Sequence, residues 1–595
     1  MCYDWKLIKL RHGILNLFAS PCAAQMRAPN SLLRSLSVLL ILLLGVSNAG
    51  AQSPAPIARV ITSGSKPYVE VKNGPGYFPY LIYGVHLRLD ELPGGDGDSS
   101  AGWVGSGGGK DGADYYFNRA QYLGFNTVVV PVFWNKVESM NATGLKVYDF
   151  AYIQHIIDSA TKYGLYVQFT WNGSDSCGYK SAPGYVNDSP TEYPLNKLHP
   201  DFLDLSNPKL ISAESGALVA LMNFVASHDP TNRVIMVEIE SEPDGCGPIG
   251  SSMKWGNLLN MSDHMFAGGQ FDAVNHLINA LSSAVKKSSW SGITRVNIGT
   301  SYRAVDCTNY RADHNNGVDI FGIDRYSSSL QDNYNTLGLL DPPSLYAQLS
   351  PEPAKDPLAS VTPGARSKYL SNVSYQPEGG GQYADLISLV LQNFAEGGGS
   401  LIYELRTTQS YQSNGVWQPN YDLGIYRRTT TANGGAANWT ERDGTLTSVP
   451  YDISGGTPGV ENNTESIRAF NQTIYKADQK IAAVSPDRCA AFNLGCALGT
   501  SGLTQTLNVG TVPVTFQAWS NSPAFAMLDT NGDLILMNFT DGNNFVIDPS
   551  FHHGASASAG YYDAEGVWHE QYKAPFNGNT LLAWKQEVIR VERAP

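Results

Sequence analysis

Short apolar runs alternate, between about residue 80 and residue 480, with longer segments whose apolar positions recur with helical period. The runs are continuously apolar, which is typical of strands that are covered on both faces, as in a parallel sheet wrapped by helices. Eight such runs are present, and they occupy residues 80–86, 126–134, 165–171, 233–239, 294–299, 318–324, 372–378 and 400–405.

The segment between the fourth and fifth runs, residues 271–287, shows the helical period. Its apolar side chains Val274, Leu277, Ile278, Leu281 and Val285 share one face of a helix. Eight strands that alternate with such helices predict an α/β fold, specifically a (β/α)8 TIM barrel.

The pattern changes after about Asp487 to short strands and turns without helical period. Asn531 and Gly532 form a hairpin signal between two apolar arms, and a further strand-like run closes the chain. We therefore predict a catalytic barrel over residues 52–486, with N-terminal lead-in strands, and a smaller C-terminal all-β domain of β-sandwich type over residues 487–595.

The first 51 residues have the features of a leader and signal peptide. Arg27 and Arg34 precede an apolar run at residues 36–46, and small residues at 49–51 follow it. The run is too short for a committed anchor. We expect a secreted or periplasmic protein that keeps no membrane anchor after signal cleavage.

The composition narrows the class of partner. Hydrophobic residues make up 42% of the chain and charged residues 16%, with a formal net charge of −13. This balance predicts a folded protein and argues against nucleic acid as a partner, whereas a neutral substrate fits it. The cysteines have no spacing typical of a metal site, and we predict neither a metal nor a cofactor. An oligomer is compatible with the sequence.

The fourth apolar run ends in three acids at alternate positions, in the segment "VIMVEIESEP". Residues two apart on a strand point the same way, so Glu238, Glu240 and Glu242 are predicted to share one face, with Pro243 ending the strand. Carboxylates inside a barrel are costly unless they are hydrogen-bonded or functional. One reading makes Glu238 and Glu240 satisfied structural acids; the other makes the strand end catalytic, because barrel chemistry lies at the carboxyl ends of the strands.

The seventh run favours the second reading. It ends in Glu378, which three glycines follow. Two glutamates at the ends of strands four and seven face each other across one barrel mouth. This arrangement suits a retaining glycosidase, whose two carboxyl groups lie roughly 5 to 5.5 Å apart.

Four segments carry a family resemblance: "PVFWNKVES", "VIMVEIESEPDG", "VDIFGIDRY" and "YQPEGGG". They resemble the glycoside hydrolase clan that has a (β/α)8 barrel and catalytic glutamates on strands four and seven. Within the clan, the chain is most similar to family 35, near family 42, the β-galactosidases. The resemblance covers about residues 75 to 410.

The resemblance implies a role for each matching residue. Glu242 matches the general acid/base and Glu378 the nucleophile, while Tyr326 matches a tyrosine that supports the nucleophile. Glu240 and Glu138 match acids that contact the sugar or lie beside those that do.

Two departures from the clan pattern leave the identity of the sugar open, and one other acid competes for the role of nucleophile. Ser241 replaces the clan's asparagine before the acid/base, so the usual amide contact to the sugar 2-hydroxyl is in doubt. The third-strand region lacks the Glu-Trp segment of many family 35 enzymes. Glu404, after the eighth run, is a rival nucleophile that we rank below Glu378.

Aromatic and polar residues at the strand ends complete the predicted substrate site. Trp134 and Trp171 end the second and third runs, where a ring stacks on an apolar sugar face. Asn135 and Asn172 follow them directly, and His86 ends the first run. Packing at the barrel rim is the alternative for both tryptophans, and a structural role is the alternative for the histidine.

These observations predict a secreted retaining glycoside hydrolase, an exo-acting β-galactosidase, whose substrate is a β-linked oligosaccharide or polysaccharide. Another β-glycosidase of the clan, of the endo-glucanase or mannanase type, is the alternative within enzymes. A carbohydrate-binding protein that has lost catalysis is the alternative outside them. A barrel enzyme with a phosphate site is poorly supported, because no phosphate-cradling motif lies near strands seven and eight.

Overall fold

The computed structural model describes residues 55–61, 68–80, 82–87, 117–118, 120–174, 181–197, 200, 202–241, 243, 270–298, 317–325, 372–375, 399–402, 410–413, 416–419, 441–442, 445–446, 486–494, 503–518, 522–538, 543–552, 556–562, 567–574, 576–584 and 587–593. The chain divides into two compact units, Met1–Ala55 and Pro56–Pro595. The predicted leader at residues 1–51 lies outside the described residues.

The strands up to residue 402 are β1 Ala58–Ile61, β2 Tyr68–Asn73, β3 Gly76–Tyr80, β4 Tyr83–His86, β5 Thr127–Phe133, β6 Glu138–Met140, β7 Lys146–Tyr148, β8 Tyr166–Asn172, β9 Val234–Ile239, β10 Ile293–Ile298, β11 Ile320–Arg325, β12 Asn372–Tyr375 and β13 Gly399–Ile402. Among the described residues, the α-helices are α1 Trp134–Val137, α2 Ala151–Tyr163, α3 Gly184–Asn187, α4 Pro208–His228, α5 Gln270–Lys286 and α6 Pro549–His552.

The later strands are β14 Ser410–Ser413, β15 Val416–Pro419, β16 Glu441–Arg442, β17 Thr445–Leu446, β18 Cys489–Leu494, β19 Leu503–Val509, β20 Val512–Ala518, β21 Ser522–Leu528, β22 Leu534–Asn538, β23 Asn543–Ile547, β24 Ala557–Tyr562, β25 Trp568–Lys573, β26 Phe576–Asn577, β27 Thr580–Ala583 and β28 Glu587–Val591. A 3-10 helix, Pro486–Arg488, precedes β18.

Eight parallel strands form the central sheet, in the order β4, β5, β8, β9, β10, β11, β12 and β13, and β13 pairs again with β4. Each of the eight predicted runs overlaps one of these strands. A parallel sheet followed by all-β sheets confirms the coarse fold prediction. Every strand differs from its predicted run at one limit or both. For example, Tyr80 belongs to β3, where it pairs with Val69, and Trp134 begins α1 after β5 has ended.

The interior of the sheet holds its own apolar cluster. Val129, Met236, Ile293, Ile320 and Leu401 come from five strands of the closed sheet and belong to one buried cluster. The cluster also includes Ala58, Val69 and Val71 of the separate sheet that β1, β2 and β3 form. Strand alternation then directs the intervening side chains outward, against the helices.

Helix α4 packs one apolar stripe against this outer surface. Asn207 begins the helix by accepting from the backbone N–H groups of Lys209 and Leu210, and Pro208 occupies the first turn, where its missing N–H costs nothing. The buried positions of the helix are Leu210, Ile211, Ala213, Glu214, Ala217, Leu218, Leu221, Met222 and Val225. In the described part of the chain, α4 is the one helix long and apolar enough to cross a membrane, but this buried stripe is typical of a core helix.

Two antiparallel sheets make up the described C-terminal region. Strands β18, β21, β22, β28, β24 and β25 form one sheet, and β19, β20, β23, β27 and β26 form the other. Phe492, Leu536, Phe516 and Phe545 belong to a buried cluster that both sheets share, which makes the region a sandwich. The predicted hairpin is confirmed, because β21 pairs with β22 around Gly532, whose φ is 88°.

The six-stranded sheet is apolar on its second face as well. Phe525, Met527, Ile535 and Met537 alternate with the residues that face the other sheet, and they belong to the same buried cluster as the outer barrel layer. The sandwich therefore packs directly against the barrel. Burial of both faces explains why the sequences of β21 and β22 are continuously apolar.

Candidate functional site

The described part of the predicted site lies at the carboxyl ends of β4, β5, β8 and β9. The predicted residues that the structure describes are His86, Trp134, Asn135, Glu138, Trp171, Asn172, Glu240 and Ser241. Four others, Glu242, Tyr326, Glu378 and Glu404, lie outside the described residues.

Glu238 points into the barrel and is held by three donors. Its Oε2 accepts from Arg295 Nη1 at 2.7 Å, from Gln168 Nε2 at 2.7 Å and from Thr170 Oγ1 at 3.3 Å. Thr170, Glu238 and Arg295 are register partners on three neighbouring strands. Glu238 is 1% exposed and Arg295 is fully buried, so this ion pair lies in the barrel interior. Glu238 is therefore a satisfied structural acid.

Glu240 does not share a face with Glu238, which corrects the prediction. Strand β9 ends at Ile239, and Glu240 has a φ of 59°, in the left-handed region. This turn breaks the alternation that the sequence suggested. Few residues other than glycine adopt this conformation, so contacts of the glutamate itself must stabilise it.

The Glu240 carboxylate joins the end of β9 to the end of β8. Its Oε2 accepts from the backbone N–H of Gly173 at 2.9 Å, and its Oε1 accepts from the backbone N–H of Ser174 at 2.9 Å. It also shares a hydrogen bond with the carboxyl group of Glu214. Glu240 is fully buried, so the structure places it as a structural acid, and it offers no free oxygen surface to a sugar.

Glu214, which the sequence analysis missed, is the second member of this pair. It lies on α4, is fully buried, and its Oε1 and Oε2 accept from Trp171 Nε1 at 2.9 Å and from Ser174 Oγ at 2.6 Å. Burial, followed by the charge of Glu240 and the hydrogen bond to it, raises the pKa of Glu214 well above its ordinary value. The signal in the sequence that could have identified Glu214 is that it is the single acid within the apolar stripe of α4.

Both predicted stacking tryptophans are interior residues. Trp171 is fully buried and donates from its indole N–H to Glu214. Trp134 is also fully buried, and its Nε1 donates to Glu138 Oε2 at 3.1 Å. Neither ring offers a face to a sugar in this structure, so both favour the packing alternative.

Glu138 is satisfied by residues around it. Besides Trp134, Tyr185 donates its hydroxyl to Glu138 Oε1 at 2.5 Å, and Lys146 Nζ lies 2.7 Å from the same oxygen. Burial and the hydrogen bond to Glu138 raise the pKa of Tyr185. Glu138 is 1% exposed. Its contacts with Trp134, Lys146 and Tyr185 therefore link α1, β7 and α3 below the surface.

The remaining described residues differ in exposure. Asn135 is exposed, and its backbone N–H donates to the Ser181 carbonyl at 2.7 Å. Asn172 is 2% exposed and donates from Nδ2 to the Thr170 carbonyl at 3.2 Å. His86 and Ser241 are half-buried. Of this set, Asn135 is the exposed residue, and the Nε2 atom of His86 is buried.

The described residues form a buried, hydrogen-bonded polar frame around the ends of β8 and β9. Within the described ranges, no group of three or more His, Cys, Asp or Glu side chains is arranged to hold a metal ion. The frame has one buried ion pair, Glu238 with Arg295, and one buried carboxyl pair, Glu214 with Glu240.

Of three comparisons with known proteins, one found matches. No family model and no curated protein sequence matches it. Solved structures do match, among them an exo-β-1,4-mannosidase from Opitutaceae bacterium strain TAV5, at 14% identity and a TM-score of 0.38, over 58% of this chain and 55% of that one. The chain thus spans about half the length of that mannosidase.

Two further structures match at similar levels. A glycoside hydrolase family 5 protein from Bacteroides vulgatus ATCC 8482 is 15% identical with a TM-score of 0.40, over 90% of this chain and 93% of that one. A β-galactosidase from Marinomonas ef1 is 11% identical with a TM-score of 0.40, over 67% of this chain and 60% of that one. All three are glycoside hydrolases, and membership of family 35 or 42 stays a prediction. Identities and TM-scores this low say nothing about the activity of this chain.

Proposed function

We propose that the protein is a retaining glycoside hydrolase that uses Glu242 and Glu378. The observation that carries this proposal is positional. Glu242 lies three residues after the end of β9, and Glu378 lies three residues after the end of β12. These are the fourth and seventh strands of the closed parallel sheet, counted from β4. Active sites of such barrels lie at the carboxyl ends of the strands.

The proposed reaction is a double displacement. Glu242, protonated, gives its proton to the glycosidic oxygen, while the Glu378 carboxylate attacks the anomeric carbon and forms a covalent glycosyl ester. Glu242, now ionised, takes a proton from an incoming water, which attacks the same carbon and releases Glu378. Tyr326, after β11, is proposed to support Glu378 by hydrogen bonding.

For the substrate we propose a β-galactoside cleaved from the chain end, on the basis of the resemblance of the chain, within the clan, to family 35. The second candidate is a β-mannoside or β-glucoside within a polysaccharide. Ser241, Glu242 and Pro243 favour it, because they resemble the Asn-Glu-Pro of endo-acting barrels. Export of the mature chain, on the basis of residues 1–51, makes an external oligosaccharide or polysaccharide the proposed partner.

The test is hydrolysis of aryl β-galactoside, β-glucoside, β-mannoside, β-fucoside and β-arabinoside by the native protein and by three variants. Glu242→Gln should lower kcat by about 10²–10⁴-fold, the usual contribution of general acid/base catalysis. Glu378→Gln should abolish turnover, and Glu404→Gln should keep most of it. Proton NMR of the first product should show retention of the β-anomer.

The outcomes separate the two candidates. Release from the β-galactoside alone supports the first candidate, and release from the mannoside or glucoside supports the second. Full activity in Glu242→Gln or Glu378→Gln would contradict the assigned pair, and loss in Glu404→Gln with activity in Glu378→Gln would move the nucleophile. A native protein that cleaves none of the five substrates would contradict the hydrolase proposal, and glycan binding would then be measured.

A further inference from the structure

The buried pair of Glu214 and Glu240 occupies the point where the chain leaves β9 for the proposed acid/base. Glu214 comes from α4, outside the sheet, and Glu240 follows the last residue of β9. Both side chains are fully buried. Two ionised carboxylates in contact away from water repel strongly, so the pair is stable only when it holds one proton.

The donors around the pair decide where this proton lies. Glu240 accepts from two backbone N–H groups, those of Gly173 and Ser174. Glu214 accepts from the neutral donors Trp171 and Ser174 and faces the negative charge of Glu240, which raises its pKa. In the proposal below, Glu214 holds the proton and donates to Glu240.

The other charged groups on the elements packed around Glu214 lie at the surface. On α4 itself they are Lys209 and His228, and the described groups on α1, α2 and α5 are Lys136, Asp158, Lys162, His276 and Lys286. His155 on α2 is half-buried. Among the described residues, Glu240 is thus the charged group in direct contact with Glu214.

The backbone at Gly173 leaves no room for a side chain beside this pair. A Cβ at position 173 would come within 1.8 Å of Glu214 Oε1 and 2.5 Å of Glu240 Oε1. Both distances are far below van der Waals contact. A glycine at this position therefore allows the two carboxyl groups to approach the end of β8, and an alanine would push them apart without changing either acid.

We propose that Glu214 and Glu240 share one proton and act as positioning residues, which fix the end of β9 to the end of β8 and thereby set the direction in which the chain continues to Ser241 and residue 242. Three observations support this: the two N–H contacts, the left-handed turn at Glu240, and the closed space at Gly173. The consequence for catalysis rests on the proposed function, in which residue 242 is the acid/base.

The first test concerns the proton and needs no activity. The pKa of Glu214 in the folded protein lies above its unfolded value of about 4.5. The contribution of protonated Glu214 to folding stability is therefore fully present below pH 4.5 and is lost as the pH rises through the folded-state pKa. Glu214→Gln keeps a donor to Glu240 and has no proton to lose. From pH 5 to pH 9, we expect the native melting temperature to fall by about 2 °C or more relative to this variant.

A matched control is Glu192→Gln, which removes an acid whose side chain is 50% exposed. Its melting temperature should follow the native curve at every pH. If the Glu214→Gln curve also runs parallel to the native curve, the shared proton is wrong.

The second test concerns positioning. In Gly173→Ala and Glu240→Gln, kcat on the best aryl glycoside should fall about 100-fold, the effect of displacing a reacting group by about 1 Å. KM should stay within about threefold, because the substituted residues do not touch the sugar. Glu214→Leu should lose kcat similarly, whereas Glu214→Gln should restore it to within about tenfold of the native value below pH 6. Native kcat in Gly173→Ala, with a native circular dichroism spectrum, would overturn the positioning role.

Hydrogen exchange separates failure of this proposal from failure of the proposed function. If the native protein hydrolyses none of the substrates, the hydrolase proposal fails, and the pair is judged by exchange of the amides in peptides that cover residues 171–174 and 239–243. Gly173→Ala and Glu240→Gln should speed this exchange about tenfold or more. Unchanged exchange in both variants would overturn the pair as a link between the two strands.

Discussion

Removal of the Arg295 guanidinium tests the electrostatic frame below the site. Arg295 and Glu238 form a 2.7 Å ion pair with side chains 0% and 1% exposed. Arg295→Met keeps most of the apolar stem and removes the charge. Breaking one partner of a buried pair costs about 3–5 kcal/mol, because the other charge stays in the interior. Gln168 and Thr170 still donate to Glu238, so we expect the lower end, about 3 kcal/mol.

The assay is urea unfolding of purified variants, followed by tryptophan fluorescence, with midpoints compared at a common slope. A matched control is Arg59→Met, which breaks the 2.7 Å ion pair between Arg59 and Glu70. The Arg59 side chain is 43% exposed. An exposed pair contributes about 0–1 kcal/mol. The double variant Arg295→Met/Glu238→Leu should be less destabilised than the sum of its single variants.

Two results would refute this reasoning. One is a cost for Arg295→Met no larger than that for Arg59→Met. The other is strict additivity in the double variant, because an uncoupled pair carries no buried charge interaction. Either result would mean that the barrel interior around Glu238 screens charge as effectively as the surface does.

Two packing predictions concern other parts of the molecule. Met537→Ala should cost about 2–5 kcal/mol, because Met537 is 1% exposed and packs in the cluster that joins the sandwich to the barrel. Urea midpoints measure this, and an unchanged midpoint would contradict the interface. Gly84→Ala should cost about 1–3 kcal/mol in the same assay, because the added Cβ would lie 2.6 Å from Leu401 Cδ2 and 2.9 Å from the Thr127 carbonyl oxygen. A Gly84→Ala variant that is as stable as the native protein, or more stable, would contradict this close approach.

The barrel strands could be predicted because their signal is local. Runs such as that of β5 are almost continuously apolar, and burial on both faces requires this composition wherever the strand sits in the sheet. The division between a parallel sheet and later all-β sheets follows from the same local patterns. The packing of the sandwich against the barrel was not predicted, because it depends on which face of β21 and β22 meets a distant partner.

The site was predicted less completely because its contacts are tertiary. Trp171 looked like an exposed ring at a strand end, but its direction depends on a helix that places Glu214 opposite its indole N–H. Glu214 itself lies 40 residues from Ser174 in the chain and has no motif around it. Periodicity identifies where a strand ends and cannot show that the next residue turns into the left-handed region, as Glu240 does.

Glu240 occupies a backbone conformation that glycine would adopt at lower cost, and this contrast tests what the side chain contributes. A left-handed residue with a Cβ costs about 1–2 kcal/mol. Hydrogen bonds to a charged group contribute about 1.5–3 kcal/mol each, and the Glu240 carboxylate accepts two from Gly173 and Ser174. The contacts therefore outweigh the strain, and Glu240→Gly should destabilise the protein although it relaxes the backbone.

Asn232 provides the matched case. It is the other described residue with a side chain and a left-handed backbone, with a φ of 54°. No hydrogen bond from its side chain is seen among the described contacts, so Asn232→Gly should be neutral or stabilising by up to about 1 kcal/mol. Urea midpoints that move in opposite directions for the two glycine variants would support the carboxylate as the cause of the turn. If Glu240→Gly is as stable as the native protein, the strand end is held by the backbone alone, and the acid at position 240 has another reason to be there.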